Sequence, residues 1–71
     1  MKANKFIIQD TIDKGAIPAI KDSISNHDGI NAVRVDIQAN SITVDYDEGR
    51  YSEKQIAGFI NQAGLVVDKI Q

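Results

Sequence analysis

Between Val33 and Asp47 the chain changes face at almost every residue. Val33, Val35 and Ile37 alternate with Arg34, Asp36 and Gln38, and Ile42, Val44 and Tyr46 alternate with Thr43, Asp45 and Asp47. A period of two marks extended chain with one side packed and the other in water, so these stretches are predicted to form a hairpin turning near Ala39 and Asn40. Such a hairpin cannot bury its own apolar side. Other parts of a chain of only 71 residues must cover it.

The covering elements flank the hairpin. Ile17, Ile20 and Ile24 share one helical face while Lys21 and Asp22 turn outward, which predicts an amphipathic first helix. Asp13 is a good cap residue, but a helix starting there would set Pro18 inside it, where the ring clashes with the preceding turn. The start therefore falls near Ala16 or Ile17, with residues 11–15 in a loop. Asn26, His27, Asp28 and Gly29 form the stop signal. The second helix is signed at both ends: Ser52 and Gln55 make a capping box, Tyr51 and Ile56 a hydrophobic staple, and Gly64 a C-terminal stop. Its apolar stripe is Ile56, Phe59, Ile60 and Ala63. Gly58 interrupts it, and close packing against a sheet is the expected reason.

Residues 5–9 read as a strand buried on both faces, with Phe6 and Ile8 on one side and Ile7 on the other. Residues 65–70 supply a short last strand. The order is then β, α, β, β, α, β. With short connections, that order specifies an α+β fold: a ferredoxin-like βαββαβ sandwich, a four-stranded antiparallel sheet with two helices on one face.

Length and 42% hydrophobic content set one domain, residues 1–71, whose core rests on Ile, Val and Ala. The absence of cysteine excludes disulfides, thiolate metal centres and cysteine nucleophiles, and agrees with a reducing compartment. Near the start the apolar run covers only Phe6 to Ile8, too short for a signal peptide or membrane span, so a soluble cytoplasmic protein without membrane insertion is expected. Eight basic residues against ten acidic ones, the basic ones scattered singly, have the wrong sign for a phosphate backbone, and no nucleic acid is expected. His27, the single histidine, reads as a cation at the end of the first helix. With no nucleophile and base pair and no glycine-rich phosphate loop, neither enzymatic activity nor a cofactor is expected.

The chain resembles the heavy-metal-associated domains of copper chaperones and metal-pumping ATPases along nearly its whole length. Ile20 and Ile24 fall where that family's first helix has its core aliphatics. Asp28-Gly29-Ile30 followed by Val33-Arg34-Val35-Asp36 resembles its Pro-Gly-Val turn and Val-x-Val strand. Ile42-Thr43-Val44-Asp45-Tyr46-Asp47 looks like its Val-x-Val-x-Tyr-Asp strand, and Tyr51, Ser52, Ile56, Ile60, Ala63 and Gly64 match its second helix, with Leu65 in place of a Tyr. The family's first loop reads Gly-Met-x-Cys-x-x-Cys and holds Cu(I) or a similar soft ion. In the register set by Ile20 and Ile24, Asp10, Thr11, Asp13 and Ala16 stand at the Gly, Met and two Cys positions. Soft copper wants polarizable sulfur; Asp13 offers a hard oxygen and Ala16 no donor, so thiolate Cu(I) binding does not carry over.

What the resemblance implies instead is a non-catalytic interaction or regulatory module related to metal transport, whose partner is another protein such as a metal-transporting ATPase or related domain. The expected interaction surface is Thr11, Ile12, Asp13, Lys14, Gly15 and Leu65. Ile12 has two readings: exposed on that surface, or packed beneath the loop. The alternative function is ligand binding. Asp10 and Asp13 are weak candidates for a hard cation, although two carboxylates are few for a tight site. Asp13-Lys14-Gly15-Ala16-Ile17 also faintly resembles a turn of ACT-type regulatory domains, which bind amino acids between subunits. Asp45, Asp47 and Glu48 lack calcium-loop spacing and read as a solvent face running into a turn.

Overall fold

A computed structural model describes all 71 residues. The elements are β1 (Lys2–Ile8), a short 3₁₀ turn (Lys14–Ala16), α1 (Ile17–Ser25), β2 (Ile30–Asp36), β3 (Ser41–Tyr46), α2 (Glu53–Gln62) and β4 (Val67–Ile70). The strands form one antiparallel sheet in the order β2-β3-β1-β4. Ile20 and Ile24 of α1 and Ile56 and Ile60 of α2 share one core with Phe6, Ile8, Val33, Ile42, Val44 and Tyr46, so both helices cover the same sheet face. This is the ferredoxin-like βαββαβ arrangement expected from the order of the elements.

Alternation is visible across the sheet. Phe6 pairs with Ile42, and Val33 with Val44, on the covered face. Lys5, Thr43 and Arg34 line up on the other face, where Arg34 Nη2 donates to Asp45 Oδ1 at 3.1 Å. That second face is open. Ile7 lies on it beside Ser41 and Lys69 and is only half-buried, which corrects the expectation of a strand buried on both sides.

β1 begins at Lys2, three residues before the expected start at Lys5, because Lys2, Ala3 and Asn4 pair with Tyr46, Asp45 and Val44. Polar Asn4 thus occupies a core position, and it is satisfied there. Tyr46 Oη donates to Asn4 Oδ1 at 2.6 Å, and Asn4 Nδ2 donates to Glu53 Oε2 and to the Gln71 carbonyl at 3.2 Å each. Burial raises the Tyr46 phenol above its ordinary value, with the charges of Glu53 and Glu48 adding to the effect.

The helix ends form from the residues that mark them. Ser52 Oγ accepts from the Gln55 amide while Gln55 Oε1 accepts from the Ser52 amide, the reciprocal bonds of a capping box. At the other end Gly64 takes φ +96°, the Gly64 amide donates to Asn61 O and the Leu65 amide to Ile60 O, the paired bonds of a Schellman stop. That stop uses Leu65, so β4 starts at Val67 rather than at Leu65. Gly58 departs from expectation: a Cβ built there meets nothing within 4 Å, so packing against the sheet does not require glycine.

His27 follows α1 and does more than sit near its end. Its Nδ1 lies 3.2 Å from Ile24 O, an oxygen that can only accept, so the contact is a hydrogen bond in the tautomer protonated at Nδ1. The imidazole stacks on Phe59 with ring centroids 3.7 Å apart, and Tyr51 meets Phe59 edge-on at 5.2 Å.

Candidate functional site

Three connections meet at one end of the sheet, here called the tip: the β1–α1 loop, the β2–β3 turn and the α2–β4 turn. Chain direction puts them together, since β1 and β2 end where β3 and β4 begin. The Gln9 amide donates to Val66 O at 2.8 Å and the Ile8 amide to Asn40 O at 3.0 Å, so each of the other two connections holds the first.

Asn40 does most of this holding. It closes the hairpin at φ +48°, a left-handed conformation that asparagine tolerates better than most residues. Its Nδ2 donates to Ile8 O and Asp10 O, and its Oδ1 accepts from the Ile12 amide, each at 2.8 Å. Nothing in the sequence singled out Asn40 beyond its place in a turn. The available signal was its residue type; the long-range bonds depend on a meeting of two loops that only the folded topology creates.

Ile12 points inward. It is 2% exposed and belongs to the main core, which removes it from the expected interaction surface and selects the reading in which it packs beneath the loop. A β-branched aliphatic side chain is worth more in that core than in water. Thr11, Asp13, Lys14 and Gly15 on either side of it are exposed. Leu65 is half-buried against the core, and its neighbour Val66, not anticipated as a surface residue, is 50% exposed.

Asp13 and Ala16 lie at this tip between β1 and α1. Asp13 Oδ1 accepts from the Gly15 amide at 3.0 Å, and Asp13 O accepts from the Ala16 amide at 3.0 Å, which folds residues 14–16 into the 3₁₀ turn. The loop expected over residues 11–15 is therefore partly regular, and Asp13 caps this turn rather than α1. Ala16 stands at the N-cap of α1, where it makes no side-chain hydrogen bond.

Chemically the tip has little to offer an ion. There is no thiol, Ala16 has no donor atom, and one oxygen of Asp13 is engaged as a cap. No group of three or more His, Cys, Asp or Glu side chains is assembled as a metal site, so Asp10 and Asp13 have no third residue of these types beside them. The surface also carries no pocket. What the tip presents is a shaped polar loop beside a small apolar patch.

Known proteins give this arrangement a context. No family model matches the chain. The copper chaperone CopZ of Bacillus subtilis (strain 168) is 34% identical over 53 residues, 75% of this chain and 77% of that protein. Among solved structures, a copper binding domain from HMA7, a P-type ATPase, superposes with a TM-score of 0.86 over 100% of this chain and 95% of its own, at 18% identity. A CopZ metallochaperone gives 0.81 over 93% and 98%, also at 18% identity. Oxidized MerP from Ralstonia metallidurans CH34 gives 0.78 over 96% and 97%, at 17%. At such identities the superpositions speak for the fold, and the relationship to CopZ speaks for descent. The chain, which has no cysteine at all, belongs to the heavy-metal-associated, copper-chaperone-like family as a member without the Cys-x-x-Cys pair.

Proposed function

We propose that residues 1–71 act as one non-catalytic docking module related to metal transport, meeting another protein through the tip without carrying Cu(I) on thiolates. The observation that carries this reading is the state of the two donor positions. Asp13 is a turn cap and Ala16 a methyl group, yet the fold and the loop around them are intact. A scaffold that keeps its shape without thiolate donors supports a role in meeting partners rather than in carrying a soft ion. The partner is a metal-transporting ATPase or a domain of the same fold. The surface is Thr11, Asp13, Lys14, Gly15 and Leu65, with Val66 joining them in place of Ile12. Cytoplasmic action is part of this proposal; no helix of the protein is long and apolar enough to cross a membrane.

Two titrations test this reading. In competition with a chromogenic chelator the native protein should leave Cu(I) with the chelator, whereas the double substitution Asp13→Cys, Ala16→Cys should capture it stoichiometrically. Tight stoichiometric capture by the native protein would overturn the proposal. In the second, the ¹⁵N-labelled protein is titrated with the amino-terminal domain of a copper-transporting ATPase. Shifts should concentrate at residues 11–16, 65 and 66; a perturbation centred on His27 and Tyr51 at the opposite end would move the docking surface there.

A further inference from the structure

The tip is ordered by a side chain that reaches it from another loop. Asn40 has two N–H donors and a carbonyl acceptor, and all three functions are used on the β1–α1 connection, across separations of 28 to 32 residues. The partners also fix which way the amide points. Ile8 O and Asp10 O can only accept and the Ile12 amide can only donate, so the flipped orientation would mismatch at every contact. With the Gln9 amide on Val66 O and the Ile8 amide on Asn40 O, five backbone groups of residues 8–12 are paired from within the chain.

A loop whose backbone groups are unpaired in the free protein must be ordered by whatever binds it, at a cost in affinity. Here the chain itself supplies partners to Ile8, Gln9, Asp10 and Ile12, three of those bonds coming from the Asn40 carboxamide. We infer that Asn40 is a positioning residue that holds the β1–α1 tip in its docking shape with no metal present, so that docking by this chain is independent of metal. The consequence for docking rests on the function proposed above; the ordering of the tip does not. The bland reading, that Asn40 only turns the hairpin at positive φ, makes a different forecast. Glycine and aspartate also tolerate that conformation and would serve as well.

The experiment compares the native protein with Asn40→Gly and Asn40→Asp. Glycine keeps the backbone turn and deletes all three bonds. Aspartate keeps an acceptor for the Ile12 amide but sets a second oxygen against Ile8 O and Asp10 O. Amide hydrogen exchange in the presence of a metal chelator should show the Ile12 amide exchanging about tenfold faster or more in both variants, with Val44 in the central sheet unchanged. Binding to the ATPase domain should be unaffected by chelator in the native protein and weakened in both variants. If Ile12 exchanges at the native rate in Asn40→Gly, the inference is wrong, whatever the binding result. If Ile12 behaves as expected but the native protein does not dock, the ordering role stands and it is the proposed function that fails.

Discussion

The two ends of the sheet contain glycines with nearly the same backbone and opposite surroundings. At the tip Gly64 has φ +96° and a Cβ there would meet nothing within 4 Å. At the base, where α1 ends and β2 begins, Gly29 has φ +93°, and a Cβ would lie 2.8 Å from Arg50 Cδ and 3.1 Å from Tyr51 Cε2. The base is fastened several times over. His27 and Tyr51 pack on Phe59, Tyr51 Oη donates to the Asp28 carbonyl, and Tyr46, Asn4 and Glu53 form a hydrogen-bonded chain. The tip rests on Ile12, on one carboxamide and on two backbone bonds between its connections. Redundant contacts at one end and sparse ones at the other divide the labour: damage to the base should register in global stability, and damage to the tip in local order and binding.

The largest effect is expected in the buried polar chain at the base. Tyr46→Phe leaves Asn4 Oδ1 without its donor in the core and should cost about 1–3 kcal/mol by urea denaturation. The substitution also has a pH signature. Burial, then Glu53 and Glu48, raise the phenol above its ordinary 10.0, so the unfolded chain loses this proton before the native one does. Stability from this group is fully present below the unfolded pKa and is lost as pH climbs through the raised native value. Tyr46→Phe should therefore flatten the alkaline decline, and an unchanged decline would mean that other groups cause it.

Gly29→Ala and Gly64→Ala sharpen the contrast directly. Each forces a Cβ into a left-handed residue at about 1–2 kcal/mol. Only Gly29→Ala must also displace Arg50 and crowd the Tyr51 ring, so thermal melts should rank it clearly below Gly64→Ala. Equal losses would mean that the base yields as easily as the tip, and the division of labour would fall.

The same contrast explains what could be read from sequence. The helix stops, the capping box and the hairpin are local chemistry, written within a few consecutive residues, and they fold where they were read, except that β2 runs from Ile30 to Asp36 and leaves Ile37 in the turn. Asn4 was hidden because a polar residue at a strand's start looks like loop until Tyr46 and Glu53 come to meet it. Asn40 was hidden for the same reason, its partners lying on another loop. Ile12 was ambiguous because one isoleucine in a polar loop has no periodicity to show its face. Local signals thus served the elements well and the tip poorly, since the tip is where three distant connections converge.

The smallest expected effect falls between the two ends, on the helix that joins them. α2 is capped at the base by Ser52 and stopped at the tip by Gly64, and Gly58 lies midway with open space where a Cβ would be. A helical glycine costs conformational entropy that alanine does not, so Gly58→Ala should stabilise the fold by about 0.4–1 kcal/mol, read as a higher urea midpoint at unchanged slope. Because Gly58 contributes to neither end's fastening, docking through the tip should be unaffected. Stability gained together with binding lost would show that a partner approaches the bare backbone of α2, and the docking surface would then extend along the helix beyond the tip.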